Sequence, residues 1–92
     1  MTYEKTNSHY LVQYDFRVEV CDASTFWSRG YGWSGGAPSA MLELVTAIDG
    51  IVAIQASGYQ MILFKGRRFA WDEILPAVEA TFVALPPQRG KE

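Results

Sequence analysis

The stretch "IDGIVAIQASGYQMILFKG" (residues 48–66) holds two apolar runs, 51–54 and 59–64, with Ala56, Ser57 and Gly58 between them. Both runs are rich in β-branched and aromatic side chains, the residues that fit a pleated, half-buried surface. Ser57-Gly58 falls where a tight hairpin turn belongs, so 51–55 and 59–65 are read as antiparallel strands. Gly66 ends the second of them. The segment has almost no ionisable side chains and nothing reactive, which marks it as core.

Working outward, the flanking segments change period. Upstream, "PSAMLELVTAIDG" places Met41, Leu44, Val45 and Ile48 at i, i+3, i+4 and i+7, one apolar stripe. Pro38 stands where a first helical turn accepts proline, and Asp49-Gly50 closes the element with a residue able to take the left-handed cap. Downstream, "FAWDEILPAVEATFVAL" puts Trp71, Ile74, Leu75, Val78, Phe82 and Leu85 on one side of a second helix. Pro76 is tolerated if that helix starts near Trp71 or Asp72, so that the proline lies in or just past the first turn.

At the amino side "YLVQYDFRVEV" alternates strictly. Tyr10, Val12, Tyr14, Phe16, Val18 and Val20 fall on one face, and Gln13, Asp15, Arg17 and Glu19 on the other. That period of two predicts a strand with one buried face, bent or broken near Asp15. "CDASTFWSRGYGWSGGA" shows no period and is read as an aromatic loop over 22–36, with a short irregular strand through 26–32. The fold expected is α+β: a small antiparallel sheet with two helices packed on one face, in the order β(β)-α-β-β-α. Residues 1–85 form one domain on this reading, and 86–92 a mobile tail.

Composition narrows the function classes. The 92 residues suffice for one domain, and 49% hydrophobic with 14% aromatic content is that of a folded chain. A chain this short needs dense apolar cover for its single core. Net charge is −2, with Lys and Arg scattered, so binding of nucleic acid through a broad basic face is not expected. No apolar stretch is long enough to span a bilayer, and "MTYEKTNSHY" lacks the apolar core of a signal peptide. A cytoplasmic protein without membrane attachment is expected.

The residues capable of chemistry do not converge. Cys21 lies beside Asp22, whose carboxylate opposes thiolate formation. His9 has no second histidine or cysteine at ligand spacing. Asp72 and Glu73 open the second helix, where they complement its dipole. No nucleophile, base and orienting group come together, so no catalytic residue, metal site or cofactor is assigned. The features that invite function are Trp27, Arg29, Tyr31 and Trp33 in the aromatic loop, together with the basic turn at Arg67 and Arg68. Trp, Tyr and Arg most often carry interface energy. The competing reading of the loop is a lid over a small core.

The knuckle Ile48-Asp49-Gly50-Ile51, the hairpin, and the run Trp71-Asp72-Glu73-Ile74-Leu75-Pro76-Ala77-Val78 ending at Phe82 resemble the amino-terminal domain of the Nfu/NifU-like iron–sulfur scaffold proteins. The resemblance covers about residues 38–82, and it extends to the proline inside the second helix. The cluster-binding Cys-x-x-Cys of that family belongs to a separate domain. The resemblance therefore implies an accessory, non-catalytic protein-interaction module. Its partners would be iron–sulfur assembly or recipient proteins. The alternative class is a small-molecule-binding or regulatory α+β domain of unrelated role, with a homodimer through a sheet edge open to it.

Overall fold

The computed structural model describes residues 3–17, 19–21 and 23–84. Among these, six strands form one antiparallel sheet: β1 (Tyr3–Asn7), β2 (Leu11–Phe16), β3 (Thr25–Ser28), β4 (Gly32–Gly35), β5 (Ile51–Ser57) and β6 (Gln60–Lys65). Helix α1 (Ala40–Thr46) precedes β5, and α2 (Trp71–Ala84) follows β6. Across the sheet the order is β1-β2-β6-β5-β3-β4. The α+β class with two helices on one face is as expected, and the sheet is larger than expected.

The central hairpin β5–β6 pairs Ser57 with Gln60, leaving Gly58 and Tyr59 as a two-residue turn. Gly58 takes φ +58° at the first turn position, where this class of hairpin favours glycine. A bulge at Val52 shifts the register between Ile51 and Ala53, so that both Ile51 and Ile54 reach the core. On the covered face Val12, Tyr14 and Phe16 of β2 meet Met61 and Leu63 of β6, Ile54 and Ala56 of β5, and Trp27 of β3. Met41, Leu42 and Val45 of α1 and Ile74, Leu75, Val78 and Phe82 of α2 close this layer. The other face carries Leu11, Gln13, Phe26, Gln55, Ile62 and Phe64, and no described helix covers it.

Several expectations are corrected. The alternating strand ends at Phe16, and the chain then turns past the β5–β6 turn, where Val20 N–H donates to Gly58 O at 2.7 Å. Tyr10 precedes the strand and is 63% exposed, outside the buried row its parity suggested. Val18 and the segment 85–92, including Leu85 and the expected mobile tail, lie outside the described residues. Residues 3–7, to which the sequence reading assigned no element, form the edge strand β1.

The aromatic loop is a hairpin: β3 and β4 pair Trp27 with Trp33 and Phe26 with Ser34. In α1 the helix proper is Ala40–Thr46 with Ser39 as its N-cap, and it is rotated from the expected stripe. Leu42 is buried in place of Leu44, which is 40% exposed, and Ile48 lies past the helix end.

Pro76 sits inside α2, beyond the first turn, and the helix continues through it. The helix start is secured by a capping interaction in which Glu73 Oε1 accepts from Ala70 N–H at 3.0 Å. Cys21 is buried and bridges by backbone to Pro38.

Candidate interaction surface at one end of the sheet

Antiparallel pairing brings four connections to one end of the sheet: the β1–β2 turn, the β3–β4 turn, the α1–β5 turn and the β6–α2 turn. Hydrogen bonds tie them into one surface. Trp71 Nε1 donates to His9 O at 3.3 Å. Gly66 N–H donates to Gly50 O at 2.9 Å, and Arg29 N–H to Val52 O at 2.9 Å. Lys65 Nζ lies 6.0 Å from the centre of the Trp71 ring, linking the end of β6 to the start of α2.

This end carries four of the molecule's exposed large apolar side chains, namely Tyr10, Tyr31, Val52 and Phe69, each from a different turn or its flank. Tyr31 stands at the tip of the β3–β4 hairpin and is 91% exposed. Arg67 and Arg68 are exposed between Val52 and Phe69 in chain path, and Asp49 is the exposed acid of the neighbouring turn. The result is an aromatic and basic surface built on short, tied turns. Phe69 is placed by Gly50: a Cβ at Gly50 would stand 2.9 Å from Phe69 Cγ and 2.9 Å from Ile74 Cδ1. Gly50 also takes φ +99°, which L side chains rarely adopt.

The residues singled out from sequence divide into two groups. Tyr31, Arg67 and Arg68 lie on this end surface. Trp27 is 8% exposed and belongs to the core, and Trp33 is half-buried against it with ring centres 6.3 Å apart. Arg29 is a structural clasp. Its Nε donates to Ile51 O at 3.0 Å, and its outer nitrogen reaches Ile51 O at 2.6 Å, Thr46 O at 3.2 Å and Ile48 O at 3.2 Å. Helix α1 has no basic residue in its last turn, so this guanidinium supplies both donors and positive charge where the helix exposes carbonyls. The guanidinium carbon also lies 5.1 Å over the Trp27 ring. Sequence reasoning missed Tyr10, Val52 and Phe69 as surface residues. For Phe69 the available signal was its position directly after the basic turn.

A concave region lies between β1 and α2. It is an open groove of about 430 Å³ lined by Lys5, Asn7, Trp71, Asp72, Leu75, Pro76 and Glu79. Among the lining residues Glu79 Oε2 accepts from Tyr14 Oη at 2.7 Å and from Lys5 Nζ at 2.8 Å. Burial works to raise the Glu79 carboxyl, but the hydrogen bonds from Lys5 and Tyr14 outweigh it and hold the carboxyl below its ordinary range. Tyr14 is pushed well above its ordinary value, first by burial and then by its hydrogen bond to Glu79. Among the described residues no group of three His, Cys, Asp or Glu is placed to hold a metal ion. Nor is any helix long and apolar enough to cross a membrane.

Comparison with solved structures finds the same fold in Staphylococcus aureus protein SAV1430. Its crystal structure aligns with a TM-score of 0.68 at 17% identity, over 89% of this chain and 95% of that one. Its solution structure aligns with a TM-score of 0.66 at 16% identity, over 100% of this chain and 97% of that one. At such identities the likeness is one of fold. Neither a protein-family model nor a curated protein matches the chain.

Proposed function

We propose that this protein is a non-catalytic protein-interaction module of the cytoplasm, accessory to iron–sulfur cluster assembly, that binds a protein partner through the end surface of its sheet. The observation that carries the binding mode is that Tyr10, Tyr31, Val52 and Phe69, together with Arg67 and Arg68, are all exposed at the same end of the sheet. Aromatic rings and arginines in one place are the residues from which binding hot spots are built. The two arginines favour an acidic partner segment and speed its encounter. The link to iron–sulfur assembly rests on the resemblance of residues 38–82 to the Nfu amino-terminal domain.

The test is titration of isotope-labelled protein with a purified cluster scaffold or recipient protein, followed by amide shifts. Shifts should concentrate on Tyr10, Tyr31, Val52 and residues 67–69. The double variant Arg67→Glu, Arg68→Glu should lose binding by tenfold or more while keeping its melting temperature. Shifts confined to the β1–α2 groove would overturn the assignment. They would favour instead the reading of a small-molecule-binding or regulatory domain, for which that groove is the supporting observation, its volume lying within the range of ligand sites.

A further inference from the structure

The two edges of the sheet are finished differently. Edge strand β1 carries the charged Glu4 and Lys5, and Lys5 is tied across to Glu79 on α2. Charged side chains and a covering helix are the usual protection against edge-to-edge pairing. Edge strand β4, "GWSG", carries no charge, and no described helix or strand lies beyond it.

Its outward hydrogen-bonding groups follow from the trans geometry of the peptide units. Ser34 O accepts from Thr25 Oγ1 at 2.9 Å and so points inward toward β3, which turns the Gly35 N–H outward. Gly36 N–H donates inward to Ser24 O at 2.9 Å, which turns the Gly35 carbonyl outward. The ladder pairs Phe26 with Ser34 and Ser28 with Gly32, and the alternation of an antiparallel pair then sends the Trp33 N–H and C=O outward as well. Among the described residues nothing meets these four groups.

We propose that β4 is a dimerisation edge on which a second copy of this chain pairs antiparallel, with the two-fold axis at Ser34. In that register Trp33 stands opposite Gly35 of the second copy and Gly35 opposite its Trp33, so the four outward groups of each chain complete four hydrogen bonds. The arrangement is self-complementary, as an isologous interface must be. It also sets a large ring beside a residue without a side chain, a pairing that compensates glycine at a strand edge. A foreign extended peptide would use the same backbone groups without this reciprocal fit of ring to glycine. Four residues make a short edge, so the dimer is weak and reversible.

Sedimentation equilibrium of the full chain, carried up to about 1 mM so that even a millimolar dissociation constant registers, tests this. The native chain should dimerise. Ser34→Lys puts like charges opposite each other at the axis and should weaken association at least tenfold. An equimolar mixture of Ser34→Lys and Ser34→Glu should restore it as a heterodimer. Ser34 is exposed, so both variants should melt with the native chain. Independently of any variant, the Trp33 and Gly35 amides of the native chain should gain exchange protection with rising concentration, while Ser34 does not. A native chain monomeric throughout, a Ser34→Lys dimer as tight as native, or concentration-independent protection at Trp33 and Gly35 would each overturn the proposal.

Discussion

The two ends of the sheet use aromatic side chains in opposite ways. At the end near the β5–β6 turn, Tyr3, Tyr14, Phe16 and Phe82 form a closed cluster. The Phe82 ring meets Tyr3, Tyr14 and Phe16 edge-on at 5.5, 5.1 and 5.1 Å. Glu79 takes up the Tyr14 hydroxyl, so no polar atom of that ring is stranded. At the other end Tyr10, Tyr31 and Phe69 stand out from turns that are themselves pinned by backbone hydrogen bonds. Apart from Tyr59, which stands exposed in the β5–β6 turn, the first end invests its rings in stability and the second holds them available, so substitutions at the two ends should separate folding from binding.

The sharpest way to break this contrast is Phe82→Ala. It should destabilise by about 3–5 kcal/mol, the usual loss for a buried phenylalanine. Urea unfolding that shows a loss under about 0.5 kcal/mol would remove the closed cluster from the account. At the other end the costly change is one to the backbone. Gly50→Ala should lose about 1–3 kcal/mol, because alanine resists a positive φ and its methyl group would press on Phe69 and Ile74. Were its melting temperature unchanged, the placement of Phe69 would need revision.

A third prediction concerns pH. The Glu79 carboxyl is depressed on folding, so the stability it contributes is present above the ordinary value of 4.5 and is lost as pH falls through the lower folded value. Tyr14 is raised on folding, so its contribution is complete below the ordinary value of 10.0 and is lost as pH rises toward the folded value. Glu79→Gln should therefore lower the melting temperature at pH 7 by several degrees, as expected for about 1 kcal/mol in a domain of this size. The gap to the native chain should narrow on acidification; a gap constant down to pH 3 would exclude the linkage. Smallest of all is Tyr31→Ala, which should leave stability within about 0.5 kcal/mol, as at other exposed sites. A larger loss on thermal melting would mean that the binding end is also core.

The same division explains what the sequence discloses. Residues 51–65 and 71–82 read as a hairpin and a helix, as found, because each buries one face, although the turn falls one residue later than expected, at Gly58-Tyr59, and Val52 interrupts the alternation of β5. The first helix misleads because Leu42 and Leu44 are equally apolar. A stripe through Met41, Leu44, Val45 and Ile48 looks complete, but α1 stops at Thr46 and Ile48 cannot extend it. Strand β1 is hidden because an edge strand with a single apolar anchor, Tyr3, has almost no pattern to show. In β3 the adjacent Phe26 and Trp27 point to opposite faces of the sheet and both are apolar, which erases the alternation.

The end surface is legible only in pieces. Tyr31, Arg67 and Arg68 stand out by residue type. Tyr10 shares the parity of the core residues and so looks buried, and nothing local shows that β2 begins one residue later. The role of Arg29 could not be read at all, since its acceptors are backbone carbonyls 17 to 22 residues away.

That clasp has a consequence for how the molecule opens. One side chain from the first half of the chain holds the exit of α1, the turn after it and the bulged start of β5 in the second half. If the β3–β4 hairpin lifts away, Thr46, Ile48 and Ile51 lose a charged donor together, and Trp27 leaves the core with it. The hairpin and the helix-to-strand turn are thus one cooperative unit in local unfolding, although some twenty residues of chain separate them.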